Sequence, residues 1–121
     1  MAETRVRAAR GAIVVRLDEP DAVLGATQRL LEQLLERNEV VGDDIVSVFF
    51  TATEDLRSVF PAEAARRMGL GKVPLLCAQE IPVRGSMPRV VRVLMHFETS
   101  RPQTAVAHVY LDGAESLRDD L

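Results

Sequence analysis

The sequence predicts an α+β domain of element order β-α-β-α-β-β with a mixed sheet. Three observations carry that expectation. Three long apolar, β-branched runs lie at 10–15, 45–53 and 90–97. Leucines between 20 and 38 recur at helical spacing. A short run of good helix formers, 62–68, is closed by Gly69 and Gly71 and leads into a fourth apolar run at 73–77.

The elements follow in order. RGAIVV, from Arg10 to Val15, is a continuous enough β-branched run to lie centrally in a sheet. Alternation puts Arg10 on the face of Ala12 and Val14, either as an entrance arginine with its head in water or as a ligand. Asp18-Glu19-Pro20-Asp21 reads as a helix start. Val23, Leu24, Leu30, Leu31, Leu34 and Leu35 then form one stripe, too short for a coiled coil and therefore core. After the turn at Gly42-Asp43-Asp44, IVSVFFTAT is the second strand. Strand, long helix and strand suggest a βαβ unit with parallel pairing and a right-handed crossover.

Pro61 suits the first turn of the second helix, where its missing N–H costs nothing. Pro74 cannot donate to a ladder, so the strand at 73–77 must begin there or lie on an edge. Glu80 follows that strand, and PVRGSMP is a turn into VVRVLMHF. Arg92 sits inside that last apolar run. On an edge strand it would lean into solvent; on a central strand it must face a cavity holding an anion. His96 shares its face, as a polar strand end or as a catalyst. Tyr110 falls in a last ordered segment, and 113–121 reads as a flexible tail.

A chain of 121 residues is read as one domain, 1–121. Four Phe, one Tyr and no Trp make its core aliphatic. A net charge of −3 argues against a nucleic-acid or acidic-membrane partner. A single Cys excludes an internal disulfide, and no apolar run has membrane-spanning length, so a cytoplasmic protein is expected. Fourteen of the fifteen basic residues are Arg, so each arginine has to be judged by its surroundings.

The sequence has no CxxC or HExxH pattern, no phosphate-cradling glycine loop and no GxSxG. Cys77 with His96 or His108 has no supporting spacing as a nucleophile pair. What remains is Arg10, Arg66, Arg92, Glu80 and Tyr110. That set suits binding and polarising a small dianion without covalent chemistry or a metal.

FPAEAAR and VPLLCAQE, with RGAIVV upstream and VVRVLMHF and HVYL downstream, resemble the monofunctional chorismate mutases of the AroH type. The matching segments span nearly the whole chain in the family's order. The resemblance implies a homotrimer whose sheets form a pseudo-α/β-barrel, with one site at each interface. It also implies rearrangement of chorismate to prephenate in aromatic amino-acid biosynthesis, with no cofactor. By position, Arg92 matches the arginine facing the ether oxygen, Arg10 a second arginine on a carboxylate, and Tyr110 a phenol nearby. Glu80 matches the carboxylate that accepts from the ring hydroxyl, where the Cys77 backbone contributes. Phe60, Ala62, Leu75 and Leu76 match pocket walls, Arg66 a cation at the mouth, and Leu117 part of a closing tail. Glu63 stands where some relatives carry lysine and Leu76 where some carry threonine, which bears on substrate affinity. Two rivals are a trimeric imine or enamine deaminase and a non-catalytic trimer binding a small dicarboxylate.

Overall fold

The structure, a computed structural model, describes residues 3–120. Five strands form one mixed sheet: β1 Arg5–Val14, β2 Ile45–Ala52, β3 Leu75–Gln79, β4 Val90–Thr99 and β5 Val109–Leu111. Two helices, α1 Pro20–Asn38 and α2 Ala62–Arg67, complete the fold with short 3₁₀ turns. The strand order is β3-β2-β4-β1-β5. β4 is central and antiparallel to both β1 and β2, while β3 runs parallel to β2 and β5 parallel to β1.

Three expectations need correction. β1 and β2 do run the same way around α1, but they do not pair, because β4 lies between them. A crossover helix requires only a common direction, and β4, a long run without Gly or Pro, satisfies both ladders at once. The last ordered segment is itself a strand, β5. Finally, β1 starts at Arg5 rather than Arg10, because backbone pairing with Thr99 to Leu94 is indifferent to the polar side chains of 5–10. β3 starts just after Pro74, whose carbonyl accepts from the Val48 amide at 3.0 Å, and it also lies at a sheet edge, so the strand meets both conditions that the proline allowed.

The helices cover one face of the sheet. Ala9 and Ile13, Val48 and Phe50, and Val91, Val93, Met95 and Phe97 meet Leu30, Leu31 and Leu34 there, all almost fully buried. Gly11 makes the seating possible. A Cβ at that position would lie 3.0 Å from Leu30 Cδ1, 3.1 Å from Leu34 Cδ1 and 3.2 Å from the Val109 carbonyl.

Buried Asn38 ends α1 and latches the chain entering β5. Its amide nitrogen donates to the carbonyls of Leu34 and Ala107, each at 2.9 Å, and its Oδ1 accepts from the Ala107 amide at 2.8 Å. Arg101 caps the same end, with Nη1 donating to the Arg37 carbonyl at 2.8 Å, where a cation suits the helix dipole. The stretch read as a tail carries a 3₁₀ segment, Glu115–Asp120, and Leu117 packs against Ala12, Val90 and Tyr110. Leu121 lies outside the described residues.

Asn38→Leu keeps the volume but strips partners from both polar atoms of Ala107. It is expected to lower stability by about 2–6 kcal/mol, at about 1–3 kcal/mol for each of the two unsatisfied groups. Urea unfolding measures this, and a loss below about 0.5 kcal/mol would show that the latch carries no weight.

Candidate active site

The face opposite the helices holds the functional side chains. Register places Ala78, Thr51, Arg92, Ala12 and Tyr110 in one row across all five strands. Arg92 is thus flanked by a threonine and an alanine, which leave headroom for a guanidinium. The next row is Leu76, Phe49, Leu94 and Arg10. Between the rows lies a depression of about 300 Å³ lined by Arg10, Ala12, Phe49, Thr51, Arg92 and Tyr110.

Arg92 therefore lies on the central strand and faces a cavity. Its Nε is 2.9 Å from Glu80 Oε2, with both side chains mostly buried. Opposite charges at that separation attract strongly in a partly buried site. Glu80 is fixed from two sides. Its amide donates to the Ala52 carbonyl at 2.9 Å, and its Oε2 accepts from Thr51 Oγ1 at 2.7 Å. Thr51 was not legible as a site residue, because only the β2–β4 register puts it beside Arg92.

Arg10 projects into the depression from β1, and its backbone amide donates to His108 Nδ1 at 3.0 Å. Tyr110 Oη is buried without a hydrogen-bond partner among the described residues, beside two arginines. A buried hydroxyl left so costs free energy unless a ligand completes it. Burial, then the charges of Arg10 and Arg118, hold the His108 pKa below its ordinary value.

The expected wall residues are more scattered. Phe60 is 71% exposed and, with Cys77, Ser58 and Leu56, lines a separate hollow of about 740 Å³. Asp18 braces that loop by accepting from the amides of Arg57 and Ser58, each at 3.0 Å. Those hydrogen bonds, Arg57's foremost, lower its pKa. Strand alternation separates Leu75 and Cys77, which pack on the helix-side core, from Leu76, which is exposed on the open face. Ala62 is buried in that core. On α2, Glu63 pairs with both Arg66 and Arg67 at 3.3 Å, all of them solvent-facing. Each histidine is engaged away from Cys77: His96 Nδ1 is 3.3 Å from Ser47 Oγ, and its ring meets Phe49 edge-on. No cluster of three or more His, Cys, Asp or Glu among the described residues has metal-binding geometry.

A family model described as chorismate mutase type I matches residues 6–121. The chain belongs to the type I chorismate mutases. Chorismate mutase AroH of Thermus thermophilus is 53% identical over 117 residues, covering 96% of each chain. Chorismate mutase AroH of Bacillus subtilis (strain 168) is 40% identical over 117 residues, 96% of this chain and 92% of that one. A solved chorismate mutase from Clostridium thermocellum superposes with a TM-score of 0.89 at 43% identity, covering 90% of this chain and 97% of the other. Against these full-length matches the deaminase and sensor alternatives have no support of their own.

For this type I chorismate mutase, Tyr110→Phe removes a hydroxyl that has no hydrogen-bond partner among the described residues. Its melting temperature is expected to hold or rise slightly, while KM for substrate rises about three- to tenfold, the worth of one hydrogen bond. A fall in melting temperature with unchanged KM would assign the hydroxyl to structure.

Proposed function

We propose that the cationic depression binds chorismate and that Arg92 drives its rearrangement to prephenate. Membership of the family makes the chain a chorismate mutase, an isomerase of aromatic amino-acid biosynthesis. The single observation that carries the site is the fixed guanidinium of Arg92 on the central strand, facing a hollow that also holds Arg10 and Tyr110.

The substrate has two carboxylates, an enolpyruvyl ether and a ring hydroxyl. Its C–O bond breaks as a C–C bond forms within the same molecule, so no nucleophile or base is consumed. The site has two tasks, to hold the folded near-attack conformer and to stabilise negative charge growing on the ether oxygen. Arg92 suits the second, because a guanidinium stays charged and presents a rigid donor fork. Arg10 and Tyr110 take a carboxylate, and Glu80 accepts from the ring hydroxyl. The side chains of Phe60 and Leu76 and the backbone at Ala62, Leu75 and Cys77 form walls, Arg66 with Glu63 sets the charge at the mouth, and Leu117 closes the site.

Within one chain the cationic depression and the Phe60–Cys77 hollow are separate. That separation, with Phe49 and Leu76 exposed on the open face, supports a homotrimer in which each site joins the cationic half of one subunit to the wall of the next. No described helix is long and apolar enough to cross a membrane, which fits the cytoplasmic location we propose.

Purified protein incubated with chorismate should form prephenate, with full activity after EDTA. Arg92→Gln should lower kcat by at least about 10²–10³-fold, as removal of one transition-state donor does. Lysine at 92 should also be poor. If kcat holds and only KM rises, Arg92 is a binding residue. No prephenate from the wild type would end the reading.

The shared interface has its own test. Arg92→Gln removes the charge, and Phe60→Asp puts a carboxylate before a dianion at an exposed position. Each alone should be nearly inactive. Refolded together in equal amounts, roughly a quarter of interfaces join two intact halves, and activity should return towards that fraction. If exchange of labelled subunits is shown and the mixture stays inactive, each site lies within one chain.

A further inference from the structure

β5 pairs with β1 only over Gly11, Ala12 and Ile13, opposite Val109, Tyr110 and Leu111. The ladder stops one residue short of Arg10. There an imidazole replaces the missing backbone acceptor, with the Arg10 amide donating to His108 Nδ1 at 3.0 Å. We infer that His108 is a positioning residue, whose Nδ1 holds the Arg10 backbone and so fixes where the Arg10 side chain enters the cationic depression. The inference rests on the proposed role of Arg10 as a substrate ligand.

The backbone that carries the ring is itself held. Ala107, the preceding residue, is held at both its amide and its carbonyl by Asn38. Tyr110, two residues on, shares the depression with Arg10. A short strand and the residue just before it thus deliver a phenol to the site and a clamp to the neighbouring strand. The clamp works only with an unprotonated Nδ1, which fixes the neutral tautomer with its proton on Nε2. The charged groups facing the ring are Arg10 from β1 and Arg118 from the C-terminal 3₁₀ segment, while α1 presents the uncharged Asn38. Both cations and the partial burial of the ring disfavour a further positive charge.

Two consequences follow from the sign. The folded chain binds the His108 proton less tightly than the unfolded chain does. His108's contribution to stability is therefore full above pH 6.5 and is lost as pH falls from there through the lowered folded value. Over the same descent the Arg10 amide loses its acceptor, so kcat/KM for the free enzyme should fall.

The experiment compares His108→Asn with His108→Leu in the full-length protein. Asparagine Oδ1 takes the position of Nδ1 and does not titrate, whereas leucine offers no acceptor. His108→Leu should raise KM for chorismate about five- to tenfold with less than a twofold change in kcat. His108→Asn should restore most of that loss and lack the acid fall in kcat/KM that the wild type shows. In the wild type itself, the Arg10 amide resonance should titrate together with the His108 ring. Equal KM for the two variants, an acid limb shared by wild type and His108→Asn, or an Arg10 amide blind to His108 would each overturn the inference. Arg10→Ala separates the two levels. If it leaves KM unchanged, the role proposed for Arg10 fails; if it impairs binding while the His108 variants match each other, only the clamp fails.

Discussion

A permanently charged guanidinium stands on the middle strand of the sheet, and the surrounding arrangement answers to it. Arg92 has no side exit to water of the kind an edge strand offers, since β2 and β1 flank β4. A charge so placed needs an opposite charge and fixed dipoles. Glu80 supplies the first, and its position depends on β3 pairing with β2, because its amide bonds to the Ala52 carbonyl as the ladder ends. Thr51 supplies a hydroxyl to the carboxylate, and Ala12 leaves the room. Moving β3 one residue along β2 would turn its side chains to the other face and withdraw the carboxylate.

The two faces of the sheet are therefore built on different rules. Towards the helices, packing is close enough that a single methyl at Gly11 would press on Leu30 and Leu34. On the other face, arginines alternate with apolar residues such as Phe49 and Leu76 that remain exposed in one chain. Ile81 and Val83, in the loop after Glu80, are exposed as well. A domain of this size buries a limited share of its surface alone. Burying an apolar, arginine-bearing face against the wall of a neighbouring subunit would add that area and, under the proposed trimer, enclose the charges in a site that excludes water.

Much of this was readable before any coordinates. Proline at 74 put β3 just after it or at an edge, leucine spacing placed α1, and the charge at 92 inside an apolar run left two readings, an edge strand or a cavity, between which the sheet order decides. What could not be read depends on register between distant segments. The place of β4 between β1 and β2 decides that Thr51 meets Glu80 and that Ala12 flanks Arg92, and no local pattern encodes it. β5 escaped because three residues are too few for an alternation signal. His108 offered no clue, since its work is done on the backbone of a residue 98 positions away. The likeness to the family carried wall residues by position, but it could not say that Ala62 would be buried within its own chain or that Leu75 and Leu76 would face opposite ways.

Magnitudes indicate why so sparse a site suffices for the proposed reaction. An acceleration of about 10⁶-fold requires ~8 kcal/mol. One preorganised donor aimed at developing charge is worth about 2.7–4 kcal/mol. Holding reacting atoms in a near-attack geometry is worth up to about 7–11 kcal/mol, so the balance lies within reach of positioning alone. No acid, base or nucleophile is needed to close the gap. On these figures the larger share in the proposed site would belong to whatever holds the substrate folded: the Arg10 and Tyr110 pair, the walls, and the backbone contacts that keep Arg10 in place. In the proposed mechanism the charge of Arg92 acts on a conformer that the rest of the site must first select.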